Sequence, residues 1–250
     1  MTTLASVPFL TRLQALYPSR KASTPAELLA QPWYLVAAIA FSASGHAEAV
    51  PMVFEFVLNE LKSVQTEEGP EEIHERMGLA NKMREALLQS GALSGMPTVI
   101  ESLIALYKAT PEELRSKEII RDRERSMEDW EKSGERLFQA MYHDTAETVQ
   151  GLLDSAYLDL GWYCSAIGYG ITYGGTSILT QVETSYALVA ALIAVDAPRQ
   201  ITWHMANARH GGATLEEARA VREIAMTIAR SAGVKWRDGV PEVVETEMPA

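Results

Sequence analysis

Residues 176–217 read TSILTQVETSYALVAALIAVDAPRQITWHMANARHGGATLEE, and this stretch decides the fold class. Leu179, Glu183, Ala187, Ala190, Ala191 and Ala194 recur at spacings of three and four, the period of one helix face. Asp196-Ala197-Pro198 reads as a cap followed by proline in the first turn, and Ile201, His204, Asn207 and Ala208 share a face of the helix that follows. Gly211-Gly212 is a stop. Thr214-Leu215-Glu216-Glu217 is a capping box, in which a hydroxyl and a carboxylate three residues apart serve the free N–H groups that open a helix. These signals predict helices over 176–195, 197–210 and 215–231.

The same punctuation continues outward. Thr24-Pro25-Ala26-Glu27 and Thr110-Pro111-Glu112-Glu113 repeat the capping box with proline at the first helical position, and Ser126-Met127-Glu128-Asp129 is a further start. The remaining predicted helices run over 25–30, 32–44, 46–64, 70–91, 97–108, 126–142, 145–155 and 158–173. No sustained alternation of period two occurs, so the chain is expected to be all-α, a helical bundle. Tyr34 to Ala40 echoes Tyr186 to Ala194, and each is followed by a second helix, a glycine break and a Glu-Glu helix start (Glu71-Glu72, Glu216-Glu217), which suggests two degenerate helical repeats. In that alignment the first copy has Ala30 or Gln31 in place of Glu183 and Pro51 or Met52 in place of His204, which puts any chemistry in the second half. The expected organisation is an N-terminal arm (1–24), a helical half (25–115), a charged solvated connector (116–125), a second helical half (126–232) and a loosely held acidic tail (233–250).

Composition narrows the function. The 250 residues carry 22 Lys plus Arg against 33 Asp plus Glu, and a net charge of -11 repels phosphate backbones and anionic lipid, so neither nucleic acid nor membrane is an expected partner. The longest apolar runs, Tyr34 to Phe41 and Tyr186 to Val195, fall short of the ~18 residues a membrane span needs. A single cysteine, Cys164, removes internal disulfides and dithiol chemistry and points to a reducing, cytoplasmic setting. The first 24 residues hold Arg12, Arg20 and Lys21 with no acid, so a mitochondrial presequence is the alternative to an arm that packs on a neighbouring subunit.

Two residues stand out chemically. Glu183 projects from a face otherwise made of small apolar side chains, so it must be paired, protonated or lining a pocket, unless it reaches water at the helix start. His204 can exchange a proton near neutral pH, or it can be a hydrogen-bonded core histidine. Within one hairpin the two lie at different heights, so a shared site would need a third helix or another subunit. Trp162, Ala166, Tyr169 and Tyr173 share a helical face that reads as core, subunit contact or aromatic substrate wall. His46, His74, His143 and His210 have no metal-ligand spacing, and no phosphate-cradling glycine loop occurs, so no metal and no cofactor are expected.

Val182-Glu183-Thr184, the Ala-rich helix, and Trp203-His204-Met205-Ala206-Asn207-Ala208-Arg209-His210-Gly211-Gly212-Ala213-Thr214-Leu215-Glu216-Glu217 resemble the carboxymuconolactone decarboxylase and alkylhydroperoxidase-D family. Its pattern is a Glu opening one helix, a His in the next with a small residue four later, then Gly-Ala-Thr and a Glu-Glu helix. Glu128 to Tyr173 is similar to the helices that precede this motif, and Met83-Arg84-Glu85-Ala86-Leu87 through Gly95-Met96-Pro97 to a helix ending in Gly-x-Pro. The resemblance covers most of residues 31 to 232. It implies a helical fold that oligomerises, with Glu183 and His204 at the family's functional positions. Two departures limit it: Val195-Asp196-Ala197-Pro198-Arg199 replaces the peroxidase branch's Cys-x-x-Cys, and Val182 replaces a frequent Arg. The expectation is a cofactor-free acid/base lyase or isomerase acting on a small enolisable carboxylate or lactone. His204 would be the acid/base, Glu183 would orient or protonate, and Trp203, Asn207, Tyr169 and Tyr173 would contact the substrate. The alternatives are a non-catalytic helical oligomer that binds a ligand or partner and, disfavoured by the missing thiols, a peroxidase.

Overall fold

The structure, a computed structural model, describes residues 4–18, 22–64 and 70–244, and among them every regular element is helical and no strand occurs. The helices are α1 (Val7–Gln14), α2 (Pro25–Leu29), α3 (Trp33–Ala43), α4 (Val50–Val64), α5 (Pro70–Ser94), α6 (Met96–Ala109), α7 (Met127–Tyr142), α8 (Ala146–Ala156), α9 (Leu158–Tyr163), α10 (Gln181–Ala194), α11 (Pro198–His210) and α12 (Leu215–Ser231). No helix among the described residues is long and apolar enough to cross a membrane.

Helices α3 and α10 are apolar on every side, and such helices must be surrounded. Ten of the eleven residues of α3 are buried, and α10 is buried from Glu183 to its end. They pack on each other, and α5, α11 and α12 close around α10. One core therefore runs through both predicted halves, from Leu35 and Phe54 to Tyr186 and Ile224.

The caps explain where reading and structure part. Thr214 forms its full box with Glu217, Ser126 accepts from Asp129 N, and Gly211 and Gly212 end α11, the latter at φ +102°. Helix α10 begins at Gln181 and not at 176, because Thr180 and Glu183 form a second box that the sequence reading passed over. Asp196 does not cap α11. It adopts φ +56° and its carboxylate accepts from Arg237, while Ala197 takes the cap position. Thr110 turns its hydroxyl back to Leu106 O at 2.7 Å, and Glu112–Leu114 forms only a 3-10 turn.

The N-terminal arm holds α1, a helix too short to announce itself in sequence and stabilised by packing. Leu10 and Leu13 are buried in the core, and Tyr17 donates to Glu217 at 3.1 Å. The expected loose tail is pinned as far as it is described: Val240 and Val243 are buried, and Arg222 binds Val240 O, Pro241 O and Glu242. Arg20 and Lys21, the side chains of Glu71 and Glu72, and tail residues 245–250 lie outside the described residues.

The predicted helix 158–173 is α-helical only to Tyr163. From Cys164 to Tyr173 it widens into a π-helix, with Gly174 N bonded to Tyr169 O at 2.9 Å and Thr172 Oγ1 to Ile167 O at 2.8 Å. Such widening is rare and concentrates at functional sites. It also turns Trp162 away from the face of Tyr169 and Tyr173, leaving it 47% exposed. Helix α7 lies against this segment backbone to backbone. A Cβ on Gly134 would fall 1.9 Å from Ser165 O, and one on Gly170 would fall 2.3 Å from Trp130 O. Arg121 holds the far end. It leaves the largely exposed connector, donates to Ile171 O and Thr172 O at 2.9 and 3.0 Å, and forms a two-pronged ion pair with buried Glu85 at 2.6 and 3.1 Å.

Candidate functional site

Glu183 and His204 are buried, yet no hydrogen bond or ion pair joins them. Glu183 sits in the first turn of α10, where one carboxylate oxygen accepts from Thr180 N at 2.9 Å and the other pairs with Lys82 of α5. Both ends of the carboxylate are thereby occupied. Sequence reasoning missed Lys82, although this half-buried lysine stands beside the buried Leu79, Met83 and Ala86 of α5, where a lysine needs a partner.

His204 lies instead in a cluster of aromatic and amide groups. Its ring is 6.1 Å from that of Tyr142, which is also 6.3 Å from Trp203 and 6.1 Å from Tyr169. Tyr169 donates to the Tyr142 hydroxyl at 3.1 Å and packs edge-on to Tyr173 at 5.2 Å. The Asn207 amide is 3.5 Å from His204 Nδ1. In the orientation that lets its nitrogen donate to Trp203 O and Met141 O, at 3.0 and 2.8 Å, its oxygen faces the ring, so neutral His204 donates from Nδ1. Burial pushes His204 down to about 4 and Tyr142, Tyr169 and Tyr173 above the usual phenol range. Every titratable group of the cluster is thus uncharged at neutral pH.

Four of the sequence-predicted residues, Trp203, Asn207, Tyr169 and Tyr173, therefore gather with His204, and Glu183 does not join them. The residue that connects them, Tyr142, was not anticipated. Its signal was the spacing Trp130, Gly134, Phe138, Met141 and Tyr142 on α7, an amphipathic stripe whose aromatic members all turn inward.

Phe138 joins this cluster to the surface. It stacks on Tyr142 at 4.4 Å and meets Tyr169 edge-on at 4.9 Å, and it also forms part of the floor of a cleft of about 620 Å³ between α7, α8 and α9. Ala146, Ser165 and Gly161 line the same cleft, with Trp162 and Leu158 from α9 and Glu131, Glu135, Glu147 and Asp154 around them. Cys164, half-buried next to Ser165, has its thiol pushed up by burial, so it is a weak nucleophile.

No family model matches the chain. Two curated relatives do. Peroxisomal protein 2 of Saccharomyces cerevisiae is 25% identical over 83% of this chain and 91% of its own length, and Peroxisomal protein 2 of Schizosaccharomyces pombe is 26% identical over 83% and 90%. Both names state a compartment and no reaction. They overturn the expectation of a cofactor-free acid/base lyase on an enolisable carboxylate or lactone, which nothing in these relatives names. The geometry agrees with the correction, since Glu183 is engaged by Lys82 and Thr180 and is not presented to a substrate beside His204.

Proposed function

We propose that this chain is a peroxisomal protein that binds a small molecule in the cleft between α7, α8 and α9, with the tyrosine–histidine cluster as the inner support of that site. The names of the two yeast relatives support the compartment. The observation that carries the binding site is the double role of Phe138, which faces the cleft on one side and the Tyr142–Tyr169 pair on the other. A cleft of about 620 Å³ with aromatic walls is within the usual size for a metabolite. In this reading Tyr169, Tyr173, Trp203 and Asn207 hold the floor in place, His204 fixes Asn207, and Glu183 ties α10 to α5. The scaffold is read as alkylhydroperoxidase-D-like, on the order of Glu183, His204 and the Gly212-Ala213-Thr214 run.

The test uses Gly151, which lines the cleft and where a Cβ would meet nothing within 4 Å. Gly151→Trp places an indole in the cleft from a position where its first carbon meets nothing. Wild-type protein is expected to retain a small molecule from a peroxisome-enriched extract, read by mass spectrometry, that Gly151→Trp loses at an unchanged melting temperature. Identical retention by both proteins refutes the site, and a fluorescent fusion that avoids peroxisomes refutes the compartment.

A further inference from the structure

We infer that the cleft takes an extended organic cation, a diamine or polyamine, as its ligand; this rests on the reading of the cleft as a binding site. Four carboxylates line it, Glu131 and Glu135 from α7 and Glu147 and Asp154 from α8, and no lysine or arginine does. Anionic metabolites are therefore repelled, and a cation is drawn in.

Two observations distinguish an organic cation from a metal ion. No three acidic, histidine or cysteine groups among the described residues converge closely enough to hold a metal, so the negative charge is spread along the cleft. Between the carboxylates the lining is apolar and aromatic, with Phe138 on the floor and Trp162 at the edge, 47% exposed. Methylene segments bury against such surface, and an ammonium is favoured near an indole face. The third observation is Ser165. It is nine-tenths buried and lines the cleft, and its hydroxyl makes no side-chain hydrogen bond among the described residues. A hydroxyl oxygen left free at a cleft wall can accept from an ammonium N–H.

The charge of the whole molecule, -11, would attract any polycation, so the experiment must separate a site from a diffuse field. Spermidine is the probe, titrated into the full chain by calorimetry at fixed ionic strength. Wild type is expected to show one saturable site. Glu135→Gln with Glu147→Gln is expected to weaken it at least tenfold, whereas Glu112→Gln with Glu113→Gln, outside the cleft and equal in charge, leaves it unchanged. Ser165→Ala is expected to weaken it several-fold without moving the melting temperature. Equal weakening by the two double variants, or no saturable site in wild type, overturns the inference. The two readings fail separately: a non-amine molecule lost from Gly151→Trp, together with no spermidine site, keeps the cleft and rejects the amine, whereas identical retention by wild type and Gly151→Trp rejects the cleft itself.

Discussion

Acidifying the protein from pH 7 to pH 4 is expected to remove roughly 3 kcal/mol of stability at one imidazole. Burial lowers His204 from the ordinary 6.5 to about 4, and each unit of such a shift corresponds to about 1.4 kcal/mol between protonation states. In the unfolded chain the ring takes a proton below pH 6.5, whereas in the folded protein it resists until about 4. The unfolded state binds more protons across that window, so stability rises with pH. The contribution is complete above 6.5 and disappears as the pH falls through 4. Urea denaturation of wild type and His204→Gln at pH 7, 6, 5 and 4 isolates it, because the carboxylates titrate in both proteins. At pH 7 the variant is expected to be less stable by about 1–3 kcal/mol, since Asn207 is left without the ring as a partner. That gap should close or reverse by pH 4. A gap independent of pH, or a ring proton titrating near 6.5 by NMR in the folded protein, would refute the argument.

Four further single substitutions probe the packing by the same denaturation assay. Lys82→Met leaves Glu183 buried without its cation and is expected to cost about 3–5 kcal/mol; adding Glu183→Leu should recover much of this, and strictly additive losses would show that the pair does not interact. Arg121→Ala should cost a similar amount through stranded Glu85, and should alter the near-ultraviolet circular dichroism of Tyr169 and Tyr173; an unchanged spectrum would mean the π-helix does not need its clamp. Gly134→Ala drives a methyl into the Ser165 carbonyl and is expected to cost about 3 kcal/mol, whereas Gly151→Ala, in open space within α8, should stabilise by about 0.5–1 kcal/mol.

What the sequence disclosed was local. The face of α11, the extent of α12, the Thr214 box and the Gly211-Gly212 stop depend on residues within a few positions of one another, and they stand as read. Asn207, Tyr169 and Tyr173 were legible as inward groups because each stood on a helix face read from its spacing, whereas Trp203 stood off the face of Ile201, His204 and Asn207 and their meeting around one histidine was not foreseen. The partner of Glu183 was not, since Lys82 lies 101 residues away and no periodicity links α5 to α10. The π-helix escaped for a similar reason. Its small residues, Ser165, Gly168 and Gly170, are visible in the sequence, but the widening is sustained by backbone contact with α7 and by Arg121, both tertiary. Asp196 misled because Asp-Ala-Pro fits a helix start, while the residue is held at positive φ with Arg237 on its carboxylate.

Arg121 is also where the two halves of the chain are fastened, which separates covalent continuity from mechanical continuity. Its guanidinium reaches back 36 residues to Glu85 and forward 50 and 51 to Ile171 and Thr172, while Lys117 and Arg123 on either side are exposed. A protease cutting at one of those flanking residues would sever the backbone and leave the clamp and the shared core untouched. The nicked fragments would stay together as one body, and they would part only when the core itself is opened.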